Sequence, residues 1–268
     1  MPKQFVNGIE LYYELEGSGP PIVLIPGFTC DHLIWSSVLP ELCKHFTVIA
    51  IDNRGAGKSD CPDHPYTIEM MAQDTFELID HLNLEKTHLM GHSMGGCIVQ
   101  DLAMRHPNRF KSMTLCNSLI KMNSVGLRMQ HFFLHLRQAG VSKRLLFEGI
   151  MPWIFSNEFL QNNSQVQLAI EGNMQSPNPI TNIGFKRQLE ALSEFNSTHW
   201  FQKINIPTLV INGTEDILCP HQSEKLAKGI INAKLVNFTG SGHAPHLEKP
   251  DEFCKTVISF MKSFSYKS

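Results

Sequence analysis

The chain lacks the sequence features that mark secreted, membrane-spanning and nucleic-acid-binding proteins. Residues 1–8 contain no apolar signal core, and no stretch approaches the roughly 18 to 20 apolar residues of a membrane span. The seven cysteines are scattered, odd in number and without a Cys-x-x-Cys pair, so we interpret most as small apolar fillers. A net charge of −2 with no long charged run disfavours nucleic acid and membrane surfaces as partners. We therefore expect a cytoplasmic protein.

Short apolar runs are abundant instead. At 268 residues, with 42% hydrophobic and 18% charged residues, the chain can bury one large core. Strand-like runs alternate with helical patterns, which predicts a mostly parallel, eight-stranded α/β sheet with helices on both faces. The predicted strands are Lys3–Asn7, Glu10–Glu16, Ile22–Ile25, Phe46–Ile51, Thr87–Met90, Lys111–Cys116, Pro207–Ile211 and Lys234–Phe238. The predicted helices include Leu33–Cys43, which Pro40 is expected to distort, Cys97–His106 and Asp251–Phe264.

The alternation of strands and helices stops between about Leu119 and Lys203. This segment is rich in Met, Phe, Gln and Asn, and helix-breaking residues such as Gly140 and Pro152 divide it into several short helical patterns. We expect a helical cap over residues 119–203, inserted after the sixth strand. The core would then consist of residues 1–118 and 204–268.

A pentapeptide, Gly91–Gly95, fits the pattern Gly-x-Ser-x-Gly, with Ser93 at its centre. A predicted strand precedes it and a predicted helix follows it. A serine at such a strand-to-helix turn is held in a strained conformation, with its hydroxyl presented to a cleft. The flanking glycines let the strand and the helix approach closely. The pattern therefore marks Ser93 as a candidate nucleophile.

A serine hydroxyl needs a base and the base needs an orienting acid. The preferred base is His243, which lies in a loop after the last predicted strand, where parallel sheets form their active edge. Asp216, after the strand that ends at Ile211, is the preferred acid because it could accept the Nδ1 proton of the histidine. His246 and Glu215 stay open as neighbouring alternatives.

The tetrahedral intermediate of such chemistry carries an oxyanion that needs two N–H donors. The backbone N–H of Met94 is the expected first donor. Phe28, in the loop after the strand Ile22–Ile25, is the expected second. Asn117 occupies the position after the strand Lys111–Cys116, where some enzymes of this kind keep the acid, and so removes one competitor of Asp216.

Three other patterns are weaker evidence for a functional site. Gly55–Ser59 looks like the end of a phosphate-binding loop, but Asp52 stands where that motif requires glycine. His131 and His135 have helical spacing without the glutamate of a metalloprotease, so no metal site is expected. Aromatic and aliphatic residues are candidates for lining a substrate pocket, with packing in the cap core as the alternative. These candidates are Phe28, Trp153, Phe155 and Leu218.

The chain resembles the α/β-hydrolase superfamily from about Asn7 to Phe264. Ser93, Asp216 and His243 follow one another in the order that this fold uses for nucleophile, acid and base. Further matching segments are Gly27-Phe28, residues 52–60 and residues 242–250. Within the superfamily the chain is similar to 3-oxoadipate enol-lactonases, small-molecule methyl esterases and related carboxylesterases. One departure is Pro26, where the family usually has histidine. The resemblance implies a serine hydrolase that uses no cofactor.

The leading hypothesis is cleavage of an ester or lactone of a small to medium, partly apolar substrate through an acyl-enzyme on Ser93. The same residues could hydrolyse a carbon–carbon bond, a thioester or a methyl ester on an acyl carrier protein. Cations of the cap could contact such an acidic partner, but a solvated helix face is the preferred interpretation. These cations are Arg128, Arg137, Lys143 and Arg144. A non-catalytic ligand receptor is the alternative from another class. We expect a monomer or a dimer.

Overall fold

One eight-stranded sheet runs through the part of the chain that the computed structural model describes, residues 2–265. The strands are β1 (Lys3–Val6), β2 (Ile9–Gly17), β3 (Pro21–Ile25), β4 (Thr47–Ile51), β5 (Thr87–His92), β6 (Phe110–Cys116), β7 (Thr208–Gly213) and β8 (Ala233–Phe238). Their order across the sheet is β1-β2-β4-β3-β5-β6-β7-β8. The β1–β2 and β2–β4 pairs are antiparallel and the other neighbours are parallel. The predicted fold class is confirmed.

Helices connect the parallel strands by crossovers. In chain order they are α1 (Leu39–Leu42), α2 (Ile68–His81), α3 (Met94–Arg105), α4 (Ser124–Gln138), α5 (Lys143–Ile154), α6 (Asn157–Gln161), α7 (Asn163–Gln175), α8 (Asn182–Glu194), α9 (Gln222–Gly229), α10 (Pro245–Glu248) and α11 (Pro250–Ser265). Short 3-10 helices cover His32–Trp35, Pro107–Arg109 and Phe201–Lys203. Within residues 2–265, no helix has both the length and the apolar content for crossing a membrane.

The central strand β3 shows why its sequence is apolar throughout. Val23 and Ile25 belong to the core cluster that contains side chains of α2 and α3. Ile22 and Leu24 belong to a second cluster, which contains side chains of α11. Alternate side chains of a strand point to opposite faces, so a sheet covered on both faces needs apolar residues at every position. Burial of each of these side chains contributes roughly 1.5 to 3 kcal/mol.

Five helices, α4 to α8, lie between β6 and β7, in the segment where the alternation was predicted to stop. All five begin at a side chain that accepts a backbone N–H of the first turn, a contact that typically contributes about 1 kcal/mol. These capping residues are Asn123, Ser142, Ser156, Asn162 and Thr181. Frequent caps explain why the segment forms several separate helices. The domain boundaries 1–118, 119–203 and 204–268 stay a prediction.

The helix predicted over Leu33–Cys43, with a distortion at Pro40, is divided into two short helices. The chain forms the 3-10 helix His32–Trp35 and then α1. Pro40 lies in the first turn of α1, where its missing N–H is tolerated, and it would disrupt a helix running through it. Between the two helices, the Ser37 hydroxyl donates a hydrogen bond of 2.8 Å to the carbonyl of His246. The break therefore joins this segment to the region of α10.

Candidate active site

Ser93 occupies the turn between β5 and α3. Its backbone has φ 52° and ψ −117°, a conformation that non-glycine residues rarely adopt and that stores strain. The turn is held because the Ser93 N–H donates to the carbonyl of Cys116 at 2.9 Å. The Gly96 N–H in turn donates to the Ser93 carbonyl at 2.9 Å. The predicted strand–serine–helix arrangement is therefore present, with the serine side chain largely buried.

Glycines let three backbone segments meet at this turn. A Cβ on Gly91 would collide with the backbone of Gly95, and a Cβ on Gly95 would collide with the carbonyl of Ile25. Gly27 lies so close that a Cβ there would be 3.3 Å from the Ser93 Cβ and 2.9 Å from His92 Nδ1. The loop after β3 therefore packs directly against the serine turn, as the donor role predicted for Phe28 requires.

His243 and Asp216 form a buried pair. His243 Nδ1 donates to Asp216 Oδ2 at 2.9 Å, and both side chains are 2% exposed. The other oxygen, Asp216 Oδ1, accepts from the N–H groups of Leu218 at 2.9 Å and Cys219 at 3.0 Å. Burial opposes ionisation of Asp216, but the His243 ring and these hydrogen bonds outweigh it and lower the pKa of the carboxyl. Asp216 is therefore suited to remain ionised beside the histidine.

The two neighbouring alternatives lie elsewhere. The Glu215 side chain is exposed and accepts from the N–H of Asn157 at 2.8 Å. His246 is buried between aromatic rings, 4.9 Å from the ring of Trp35 and 5.8 Å from that of Phe253. Neither of its ring nitrogens has a hydrogen-bond partner among residues 2–265. The geometry thus brings together the preferred base and acid rather than their neighbours.

Asn117 has a larger part in the site than the sequence suggested. Its Nδ2 donates to Asp216 Oδ2 at 2.8 Å and to the carbonyl of Gly242 at 3.2 Å. Its Oδ1 accepts from the N–H of Gly213 at 3.2 Å. Asn117 also has φ 45°, a left-handed conformation that asparagine tolerates well. The only sequence signal was its position after β6, which was interpreted as a missing competitor rather than a support of Asp216.

The backbone of His243 is held on both sides. Its N–H donates to the carbonyl of Ile154, at the end of α5, at 2.7 Å. Its carbonyl accepts from His92 Nε2 at 2.9 Å. Burial, and then the nearby His243, lower the pKa of His92 to about 3, so this ring stays neutral. Among the described residues the Ser93 hydroxyl makes no hydrogen bond to the His243 ring, and His92 links the two segments instead.

Two backbone N–H groups beside the serine have no hydrogen-bond partner among the described residues: those of Phe28 and Met94. The loop that carries Phe28 is fixed, because the next N–H, that of Thr29, donates to Gln188 Oε1 of α8 at 3.0 Å. The Phe28 ring packs edge-on against Phe185, also of α8, with the ring centroids 4.8 Å apart. The first N–H groups of a helix, such as that of Met94, have no partner within the helix, whereas buried N–H groups without any partner are rare elsewhere. The N–H groups of Phe28 and Met94 are the type of donor that an oxyanion requires.

The pocket candidates differ in their surroundings. Phe28 and Trp153 are half-buried and pack against the larger core cluster. Leu218 is buried in that cluster, and its N–H donates to Asp216. Phe155 is stacked on Phe159 at 4.1 Å, inside a small apolar cluster of the inserted helices. Of the four, Phe155 therefore fits the cap-core alternative best.

Two further patterns have structural explanations. In the loop of residues 55–59, the Lys58 N–H donates to Asp52 Oδ2 at 2.8 Å, so this loop surrounds a carboxylate of the chain itself. Asp216, Cys219 and His243 have potential metal-ligand atoms within 4.8 Å of one another. However, the first and last are hydrogen-bonded to each other. Burial and the charge of Asp216 raise the pKa of the Cys219 thiol and keep it protonated. These protons disfavour a metal ion.

The chain belongs to the alpha/beta hydrolase fold family, whose sequence model matches residues 20–250. Among solved structures, an enol-lactonase from Burkholderia xenovorans LB400 is 30% identical and has a TM-score of 0.87, over 97% of this chain and 100% of its own. An esterase from Thermogutta terrifontis with malate bound is 26% identical, with a TM-score of 0.87, over 99% and 100%.

Curated relatives carry a different activity in their names. A protein of Azorhizobium caulinodans named as carbamate hydrolase RutD is 28% identical over 262 residues, which is 97% of this chain and 98% of the relative. Enol-lactonase, esterase and carbamate hydrolase are all names for hydrolysis at a carbonyl carbon. The comparisons thus support a hydrolase, with the scissile bond unspecified.

Proposed function

We propose that the protein is a serine hydrolase that cleaves ester or lactone bonds through an acyl-enzyme on Ser93. The observation that carries the proposal is the strained serine turn, which has two unpaired N–H groups beside it and a hydrogen-bonded link to the buried His243–Asp216 pair. Strain of this kind persists only where the surrounding structure enforces it, and it is concentrated at functional sites.

In the proposed mechanism, Ser93 Oγ attacks the substrate carbonyl carbon as His243 Nε2 takes the hydroxyl proton. The negative charge develops on the carbonyl oxygen, which receives hydrogen bonds from the N–H groups of Phe28 and Met94. The intermediate collapses, and the leaving alcohol takes the proton from His243. Water then attacks the acyl-enzyme, with the same histidine as base, and releases the acid. Asp216 holds the ring in the required tautomer throughout.

The inserted helices, residues 119–203, are proposed to be the cap that shapes the substrate pocket. Support comes from α8, which contacts the donor loop through Gln188 and Phe185, and from α5, which contacts His243 through Ile154. The apolar ring of Phe28 favours a small to medium, partly apolar acyl group. A cytoplasmic location, the absence of a cofactor, a monomeric or dimeric state and an acyl carrier protein as a partner stay predictions.

The direct test is covalent labelling with a fluorophosphonate, which forms an Oγ–phosphorus bond and releases fluoride. We expect the wild type to be labelled and to hydrolyse short p-nitrophenyl esters, and Ser93→Ala to do neither while unfolding at the same temperature. A wild type that is neither labelled nor active would contradict the proposal. That outcome would favour a ligand receptor built on the hydrolase fold.

The scissile bond is to be assigned with a substrate panel of lactones, methyl esters, thioesters and carbamates, compared by kcat/KM. Carbamates belong in it because of the name of the curated relatives. We expect esters or lactones to have the highest kcat/KM. A clear preference for carbamates or thioesters, with labelling of Ser93 intact, would retain the mechanism and replace the substrate class.

A further inference from the structure

We propose that Glu248 is a positioning residue that locks the loop bearing His243 onto the junction between α5 and α6. The two segments are the histidine loop, residues 239–244, and the cap junction, residues 154–157. This inference rests on the proposed function, because it assigns Glu248 a role through His243. It concerns a carboxylate that touches neither the serine nor the acid.

The first observation is the set of groups that Glu248 binds. Its Oε1 accepts from the Gly242 N–H at 2.8 Å and from the Ser241 hydroxyl at 3.1 Å. Its Oε2 accepts from the N–H of Ser156 at 3.0 Å. One carboxylate thus bridges the two residues directly before His243 and Ser156, the residue that caps α6. Hydrogen bonds to an ionised acceptor are roughly twice as strong as neutral ones.

The second observation is that the two bridged segments are in backbone contact. A Cβ on Gly242 would lie 2.6 Å from the carbonyl oxygen of Ile154 and 2.8 Å from the Ser156 nitrogen. That same carbonyl accepts the N–H of His243 at 2.7 Å. The position of the histidine therefore depends on how closely the cap junction approaches the histidine loop. Glu248 holds the two segments together through its hydrogen bonds to the N–H groups of Gly242 and Ser156.

The third observation is chemical. All three partners of Glu248 are donors, two of them backbone N–H groups that cannot turn away. An ionised carboxylate can accept all of them, whereas a glutamine amide must direct N–H groups toward at least one donor. Glu248→Gln therefore breaks the bridge while preserving size. Glu252→Gln is the matched control, because it also removes one carboxylate and Glu252 is exposed on α11.

We expect Glu248→Gln to lower kcat by about 10²-fold, the loss that a displacement of about 1 Å at a reacting group produces, with a smaller change in KM. Glu252→Gln should retain wild-type kcat. Ser241→Ala, which removes one of the three donors, should lower kcat by less than Glu248→Gln and leave the fold intact. Unchanged kcat in Glu248→Gln, or a loss explained by its unfolded fraction, would overturn the inference.

A second pair of variants tests the cap side. Ser156→Ala and Ser156→Pro both remove the hydroxyl that caps α6, but only proline removes the N–H that Glu248 accepts. The dihedral angles permit proline, because Ser156 has φ −68° and the preceding Phe155 is extended. The proline ring takes the place of the N–H and so also displaces the Glu248 carboxylate that faces it. We expect kcat to fall much further in Ser156→Pro than in Ser156→Ala. Equal kcat values in the two variants would count against the bridge.

A spectroscopic measurement separates this inference from the proposed function. The His243 Nδ1 proton, donated to Asp216, gives a downfield proton NMR signal that is assigned by its loss in Asp216→Asn. We expect that signal to shift or broaden in Glu248→Gln and to be unchanged in Glu252→Gln, whether or not the protein hydrolyses any ester. An unchanged signal in Glu248→Gln overturns the inference, whereas absent labelling of wild-type Ser93 overturns only the proposed function.

Discussion

At the scale of single residues, the candidate site depends on how one buried carboxylate is satisfied. Asp216 accepts hydrogen bonds from His243, Asn117 and two backbone N–H groups. An ionised group excluded from water is tolerable only when it is paired and hydrogen-bonded in this way. The four donors also fix the direction of the oxygen that faces His243. Charge and orientation are thus set by the same contacts.

The first prediction concerns this carboxylate. Asp216→Asn should leave the fold intact and lower kcat by up to about 10⁴-fold, because an amide stabilises the wrong tautomer of His243. The measurement is steady-state kinetics on the best ester of the panel, with circular dichroism for the fold. Glu215→Gln is the matched comparison, and its kcat should stay near wild type. A larger loss of kcat in Glu215→Gln than in Asp216→Asn would assign the role of the acid to Glu215.

The second prediction concerns Asn117. Asn117→Gly keeps a residue suited to φ 45° but removes a donor to the ionised Asp216, a bond of a kind that contributes about 1.5 to 3 kcal/mol. We expect the free energy of unfolding to fall by about that amount, as measured by urea denaturation. Activity should fall with it, since Gly213 and Gly242 lose their contact with the same side chain. Unchanged stability would show that water replaces the amide.

At the scale of elements, the site is a meeting of turns rather than a property of one helix or strand. The loop after β3, the β5–α3 turn and the histidine loop all lie at the carboxyl ends of parallel strands, on one edge of the sheet. Their close approach depends on positions without side chains. Gly27 is one of these positions, and it lies against both His92 and Ser93.

The third prediction concerns this approach. A Cβ at position 27 would lie 2.9 Å from His92 Nδ1, so Gly27→Ala must displace either the donor loop or the serine turn. We expect destabilisation of about 1 to 3 kcal/mol from overpacking, together with a drop in kcat larger than the change in KM. Gly172→Ala is the control, because a Cβ there meets no atom within 4 Å. Similar kcat values in both variants would contradict the assigned packing.

At the scale of the whole molecule, the fold keeps several histidines buried and neutral. Burial lowers the pKa of His88 to about 4 and of His92 to about 3, and it lowers the pKa of His246 as well. In the unfolded chain these rings take up protons near the ordinary value of 6.5. Between these values the unfolded state binds more protons than the folded state, so stability must fall as the pH falls.

The fourth prediction follows from that difference. Between pH 6.5 and about 4, each of these three histidines should remove up to about 1.4 kcal/mol of unfolding free energy per pH unit. His32 works in the opposite direction, because although burial opposes protonation, the contact with Asp52 raises its pKa. Urea denaturation at pH 7, 6 and 5 measures the slope. His246→Leu should make the slope shallower, because it removes one of these three rings. A flat profile would contradict the prediction.

Much of the fold follows from the amino-acid order alone. Strands buried on both faces require apolar side chains at every position, and turns require glycine, proline or asparagine. The places of β3, β4 and β5 along the chain could therefore be predicted. The helix over Leu33–Cys43 could be predicted only in part, because Pro40 indicates a distortion but the local apolar pattern does not show that this residue starts a new helix. The candidate nucleophile was found from a local pattern, since strain at one turn is a property of neighbouring residues.

Which groups meet in the site depends on how distant segments pack. The adjacent Asp216 and Glu215 are both carboxylates, and packing turned the first toward His243 and the second toward Asn157. The support that Asn117 gives to Asp216 spans 99 positions. The bridge from Glu248 to Ser156 spans 92. Neither has a local pattern, because hydrogen bonds between distant segments depend on distances that exist only once the sheet, the turns and the inserted helices have packed together.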